Sequence, residues 1–171
     1  MRSSYKQIGE LVERVDERNT DGAVTTLVGV SIDKCFIKSV ANTIGTDLTQ
    51  YKIIRKNEFA VSLMQVSRDA KIPVAIQTQY DAAIMSPAYP IFRVKDESVI
   101  FPEYLDMWFK RSEFDREAAF IAVGGVRGSM PWDEFCRMRV PVPPLSDQRK
   151  IVESYKTITD RIALKRRLND Y

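Results

Sequence analysis

At 171 residues, with 44% hydrophobic, 10% aromatic and 29% charged residues, the chain has the composition of an average globular protein and the length for one cored domain plus a small appendage. Histidine is absent, which excludes His-based triads, imidazole proton shuttles and mixed His/Cys zinc sites. Cys35 and Cys136 are too few for a four-thiolate zinc site and read as reduced thiols packed in a core. With no signal-peptide pattern at the start and no apolar run of about 18 residues, a cytoplasmic protein is expected.

The net charge of +3 is modest, but its distribution is uneven. Residues 34–71 hold seven basic residues against three acids, 96–117 hold three against seven, and 127–171 hold ten against six. Such segregation predicts one face for a polyanion and another for a different neighbour. The competing reading is ordinary solvated surface charge.

In chain order, Tyr5, Ile8, Leu11, Val12 and Val15 repeat at helical spacing and predict a short amphipathic helix, stopped by Asn19, Asp21 and Gly22. Short β-branched runs follow at 27–32, 35–40, 51–55, 59–63, 74–77, 82–85 and 91–94, the texture of an antiparallel or mixed sheet. Lys56-Asn57 predicts a hairpin turn, and Pro87 and Pro90 confine residues 86–90 to a bulge, edge or corner. Pro102 suits the first turn of a helix with Tyr104, Leu105, Trp108 and Phe109 on its apolar face, and a second helix is predicted over 113–123. The glycine-rich residues 124–129 read as a flexible loop, followed by a short turn at Pro131-Trp132 and a strand at 137–142. Trp108, Phe109, Trp132 and Phe135 have the spacing of core rather than of stacking platforms. Pro143-Pro144 halts the strand, and Ser146 is placed to cap the next helix.

From 147 to 171 there is no Gly or Pro, and Ile151, Tyr155, Ile158 and Ile162 step by 4, 3 and 4 in a heptad seam. A helix of that length reaches roughly 37 Å, more than one small domain needs to cover. It is expected to seek a partner helix, the alternative being that it folds back on its own domain.

No phosphate-binding Gly-rich loop ending in Lys-Ser/Thr is present, and no Glu stands two residues before a Lys as metal nucleases require, so nucleotide hydrolysis and DNA cleavage are not expected. Ser86-Pro87-Ala88-Tyr89 resembles a degraded Ser-Pro-Pro-Tyr box of amino methyltransferases. Its second proline is missing and no Gly-rich cofactor turn accompanies it, so a packed turn is expected instead.

Residues 139–152, Arg-Val-Pro-Val-Pro-Pro-Leu-Ser-Asp-Gln-Arg-Lys-Ile-Val, resemble the junction in specificity subunits of type I restriction-modification systems. There a target recognition domain ends in an Ile-Pro-x-Pro-Pro-Leu-x-x-Gln-x-x-Ile string and enters a conserved helix. The opening residues 5–12 and 15–19 look like the start of such a subunit, and residues 51–55, 58–60, 86–89 and 102–105 fall in the family's order. The resemblance implies an α+β fold, with a mixed or antiparallel-sheet recognition domain over 1–145 and a coiled-coil helix over 146–171. It implies a non-catalytic chain that reads DNA, while S-adenosylmethionine, ATP and magnesium serve a methyltransferase (modification) subunit and a restriction subunit. A complete specificity subunit has two recognition domains and two helices. One of each here implies a half-subunit that pairs with a second copy, or a fragment of a longer protein. A coiled-coil adaptor that never touches DNA is the competing class.

Binding duplex DNA takes phosphate contacts for affinity and base contacts for specificity. Lys34, Lys38, Arg68 and Lys71 are the expected cations, with Asn42 and Gln65 among hydrogen-bonding neighbours. Gln65 suits adenine and Arg68 guanine in the major groove. Arg127 and Ser129 in the glycine-rich segment extend the set. On the helix, Ile151, Tyr155, Ile158 and Ile162 form the expected pairing seam, and Arg149, Lys150, Lys156, Arg161, Arg166 and Arg167 face outward, either docking the methyltransferase subunit or simply solvated. No metal ligand and no catalytic residue is expected.

Overall fold

The computed structural model describes residues 4–39, 45–64 and 66–169. In place of the helix expected over 5–15 stand β1 (Ser4–Gln7), one helical turn α1 (Ile8–Leu11) and β2 (Val12–Val15). Ile8, Leu11 and Val12 are buried, as helical spacing foretold. The residues around them pair with distant chain instead: β1 runs antiparallel to Arg139–Val142 and β2 to Ile91–Val94. A helix this short gains little from its own hydrogen bonds, so the non-local ladders win.

β3 (Val28–Val30) and β4 (Phe36–Lys38) form a hairpin, followed by β5 (Lys52–Arg55), β6 (Phe59–Val61), the single turn α2 (Val66–Asp69), β7 (Val74–Ile76), β8 (Ala82–Met85) and β9 (Ile91–Val94). Every expected run holds a strand. The turn at Lys56-Asn57 exists, with Asn57 at φ 68°, but it does not close a hairpin. β5 pairs with β8, while β6 enters a four-stranded sheet ordered β2-β9-β6-β7, so the turn carries the chain from one sheet to another.

α3 (Pro102–Phe109) and α4 (Ser112–Ile121) come next, then two 3-10 turns (Ala122–Gly124 and Val126–Gly128), α5 (Trp132–Arg137), β10 (Arg139–Val142) and α6 (Leu145–Asn169). The segment read as a loop is thus folded, and Trp132 opens a helix rather than a turn. α6 starts one residue before Ser146, and it is the Pro144 carbonyl that accepts the Asp147 and Gln148 amides, so Ser146 is no cap. No helix among the described residues is long and apolar enough to cross a membrane.

Strand alternation gives the central sheet two apolar faces. Phe59, Val61, Val74 and Phe92 face α3, α4 and α5, whereas Ala60, Ala75 and Ile91 face the β3-β4 hairpin and the β5-β8 ribbon. The larger core centres on Phe59, Phe92, Phe109, Phe114 and Phe135, with ring centroids from 5.1 Å (Phe109 to Phe114) to 6.4 Å (Phe114 to Phe135). Each such ring is worth about 1.5–3 kcal/mol by burial. Cys35, expected in the core, is exposed on the hairpin turn, and Cys136 is half-buried.

The root of α6 is fixed by one side chain. Gln148 is fully buried: its Oε1 accepts the Phe101 amide at 2.9 Å, and its Nε2 donates to the carbonyls of Val99 (2.9 Å) and Pro143 (2.8 Å). This single amide ties α6 to the entry of α3 and the exit of β10. Beyond Val152, every described residue of α6 except Thr159 is exposed.

Candidate nucleic-acid interface

Several of the unevenly distributed charges are paired within the fold, and one pair, Lys34 with Asp115, joins the basic stretch to the acidic one. Lys34, expected on a phosphate, is 5% exposed. Its Nζ lies 2.7 Å from Asp115 Oδ1, donates to the Phe109 carbonyl and faces the Phe114 ring at 5.7 Å. Burial pulls its pKa below the ordinary lysine value, and the Asp115 charge opposes that pull. The expectation for Lys34 is therefore corrected: an ammonium enclosed in this way pins the β3-β4 turn to the α3-α4 junction and presents nothing to DNA. Asp115 completes the joint by accepting the Ile72 amide at 3.1 Å.

Other members of the basic stretch are similarly committed. Lys52 is buried, with its Nζ 3.1 Å from the Tyr89 carbonyl and 3.5 Å from Asp16. Arg55 makes a two-point pair with Glu17, at 2.9 and 2.5 Å. In the acidic stretch, Asp106 is buried with its carboxyl pushed above the usual range by desolvation, and Lys110 closes on it at 2.5 Å. Burial alone would lower Lys110, but the charge of Asp106 holds it above the ordinary value. One face for a polyanion and another for a different neighbour were expected; ion pairs occupy Lys34, Lys52 and Arg55 of the basic stretch and Asp106 and Asp115 of the acidic one.

The remaining candidates fall into two groups. Lys38 is exposed at the open end of the hairpin, next to Ser39, which lines a shallow cleft of about 260 Å³ together with Tyr51, Met64, Ser86 and Tyr89. Ser86 to Tyr89 forms the expected packed turn, with the Tyr89 amide donating to the Ser86 carbonyl at 3.1 Å. Met64 leads to α2, where exposed Arg68 lies 2.9 Å from Asp69. The second 3-10 turn rests on α2: a Cβ added to Gly128 would fall 2.5 Å from Ser67 Oγ and 3.3 Å from the Arg68 amide. That contact brings exposed Arg127 and half-buried Ser129 to Arg68, although about sixty residues separate them in sequence. Ser129 Oγ donates to the Val126 carbonyl at 2.8 Å. Lys71 stands apart, beside Asp33 at the hairpin turn (3.9 Å). Asn42 and Gln65 lie outside the described residues.

On α6, Ile151, Tyr155, Ile158 and Ile162 are 41%, 41%, 58% and 45% exposed, so among the described residues none of the heptad seam is buried. The helix does not fold back. Sequence reasoning passed over Asp115, the anchor of Lys34, and the exposed apolar residues Phe120, Val123 and Val126. Their spacing of three, next to paired glycines, was the available signal.

No protein-family model matches the sequence, and no curated protein matches it. Solved structures do. The crystal structure of an HsdS subunit from Thermoanaerobacter tengcongensis superposes with a TM-score of 0.58 at 15% identity, covering 96% of this chain and 39% of that one. A chain from a structure concerned with complex assembly and conformational transition of the type I R-M system superposes with a TM-score of 0.65 at 20% identity, covering 96% and 44%. The fold is thus α+β, a mainly antiparallel-sheet body followed by one long helix, and it is the fold of HsdS specificity subunits of type I restriction-modification systems. The chain spans less than half the length of either structure.

Proposed function

We propose that this chain is a DNA specificity element of a type I restriction-modification complex, reading one half of a bipartite site. Residues 1–145 read the DNA and 146–171 set the spacing. The observation that carries this reading is the shared fold over 96% of the chain, ending in the Pro-Pro-Leu-x-x-Gln string whose glutamine locks the helix to the body. Chemistry belongs to partners: an adenine methyltransferase subunit using S-adenosylmethionine, and a restriction subunit using ATP and magnesium, all in the cytoplasm. The exposed seam of α6 takes a second copy or a second recognition domain, in the antiparallel pairing that the family resemblance implies.

In this reading Lys38, Arg68, Arg127 and Ser129 contact the DNA, with Lys71, Asn42 and Gln65 carried forward from the sequence. The test is a map of methylated adenines in cells carrying a cognate methyltransferase subunit, with and without the chain. A new motif that requires the chain is the expected result. Binding should also weaken with salt, each phosphate contact adding about −0.9 to the slope of log affinity against log salt. No motif and no DNA binding at low salt would overturn the reading and leave the adaptor, which needs only the α6 seam.

A further inference from the structure

Phe120, Val123 and Val126 are 81%, 72% and 81% exposed, whereas every other phenylalanine of the chain is buried or half-buried. The segment that carries them is tied down. The Gly125 amide donates to the Ala122 carbonyl (3.0 Å), the Gly128 amide to the Gly125 carbonyl (3.0 Å) and the Ser129 amide to the Val126 carbonyl (3.1 Å). A Cβ on Gly125 would sit 1.9 Å from the Ser129 carbonyl oxygen, so the two turns fold tightly on each other. In 3-10 geometry residues three apart eclipse, which lines Phe120 up with Val123 as α4 tightens into the first turn. Val126 opens the second turn, and Arg127 follows at φ 56°, a left-handed conformation that is costly for a side chain of its kind. The result is a fixed apolar ridge edged by Arg127 and, across Gly128, by Arg68.

We infer that this ridge contacts base edges in the major groove, with Phe120, Val123 and Val126 against thymine methyl groups and Arg127 on an adjacent phosphate. The inference rests on the DNA-reading function proposed above and names a specificity determinant within it. Thymine methyls are the apolar points of the major-groove edge, flanked on both sides by phosphates. A ridge of apolar tips edged by guanidinium groups is complementary to that pattern. Charge supports the same occupant, because no acidic residue occurs between Ala118 and Trp132. The ridge also abuts α2, where Gly128 packs against Ser67 and the Arg68 amide.

The test uses the full chain and duplexes that it recovers from a randomised pool. Each thymine of a recovered duplex is replaced in turn by deoxyuridine, which lacks only the methyl group. Affinity is expected to fall roughly fourfold at one or two positions, the factor for losing one methyl-sized apolar contact. Val123→Ser and Val126→Ser should bind the thymine duplex correspondingly less well and be indifferent to the deoxyuridine change, with unaltered melting temperatures because the side chains are exposed. Wild-type affinity in both variants, with deoxyuridine sensitivity intact, would overturn the ridge as a DNA contact while leaving the proposed function standing. Loss of methyltransferase-subunit binding instead would make the ridge a protein surface and overturn the inference equally. A wild-type chain that recovers no duplex would overturn both.

Discussion

Replacing Gln148 by alanine removes three hydrogen bonds from a fully buried site and strands the Phe101 amide and two carbonyls at the base of α6. At about 1 kcal/mol for each bond the loss is about 3 kcal/mol. For a chain of this length that corresponds to a fall in melting temperature of roughly 6–12 °C. Gln148→Glu sharpens the test. A carboxylate still accepts the Phe101 amide, but its second oxygen faces the Val99 and Pro143 carbonyls with no proton to offer, so at neutral pH the cost should equal or exceed that of alanine. Its carboxyl should titrate above its unfolded value. The penalty is then fully present above the folded pKa and fades as the pH falls through that value, where the protonated group donates again. Thermal and urea unfolding at neutral and acidic pH read both effects. A loss below about 1 kcal/mol for Gln148→Ala, or a Gln148→Glu deficit that does not shrink on acidification, would refute the account of the joint.

Two further predictions separate structural charges from binding charges. Lys34→Met breaks a buried pair and leaves Asp115 uncompensated, so it should cost about 3 kcal/mol or more in urea unfolding and leave the salt slope of DNA binding unchanged. Lys38→Ala should leave stability unchanged and reduce the magnitude of that slope by about 0.9; the opposite pattern would reverse the assignment of these two lysines. Glu58 is buried, and burial raises its pKa above 4.5 even though its Oε2 accepts the Arg55 amide at 2.7 Å. An acid raised on folding destabilises at pH values above its folded pKa, and that cost disappears below the unfolded value. Glu58→Gln, which keeps the acceptor, should therefore be at least as stable as the wild type at neutral pH. Its advantage should vanish near pH 4, as urea midpoints at the two pH values would reveal.

β3 to β10, α3, α4 and α6 were legible because each is set by local pattern, whereas the single turn α2, the two 3-10 turns and α5 were not. β-branched runs mark β3 to β9, Pro102 opens α3, and a run without Gly or Pro carrying the seam Ile151, Tyr155, Ile158 and Ile162 marks α6. The first fifteen residues were not, since Tyr5, Ile8, Leu11, Val12 and Val15 satisfy a helix while β1 and β2 are made by partners at Arg139–Val142 and Ile91–Val94 that spacing cannot reveal. Lys56-Asn57 shows the same limit: the turn was readable, but which strands it joins depends on β8 and β9. The candidate interface was legible as chemistry and obscure as geometry. Composition cannot distinguish Lys34, enclosed by Asp115 and Phe114, from Lys38, four residues on and exposed. Nor can it show that Gly128 seats Arg127 beside Arg68, because that contact depends on the absence of a side chain.

Under the proposed function, the joint at Gln148 would connect the reading of DNA to the spacing of half-sites. β1 pairs residue for residue with β10, Ser4 opposite Val142 through Gln7 opposite Arg139, so the strand that feeds α6 is held along its length before the helix starts. Gln148 then bonds the exit of β10 at Pro143 and the approach to α3 at Val99 and Phe101, fixing the helix against two separate parts of the body. Past Val152 the helix leaves the body: Tyr155 and Lys156 still border a cleft against Phe36, Ile76 and Lys110, and from Thr157 onward every described residue but Thr159 is exposed. A rigid root with an uncovered shaft is what a molecular ruler requires. Any bending at the root would spread the distance between two recognition domains joined through the shaft, and a spread of one base pair, about 3.4 Å along the duplex, would place the second domain on the wrong bases. In the proposed function, rigidity at Gln148 would serve specificity as directly as a residue that touches DNA, and from a buried position that bonds only protein.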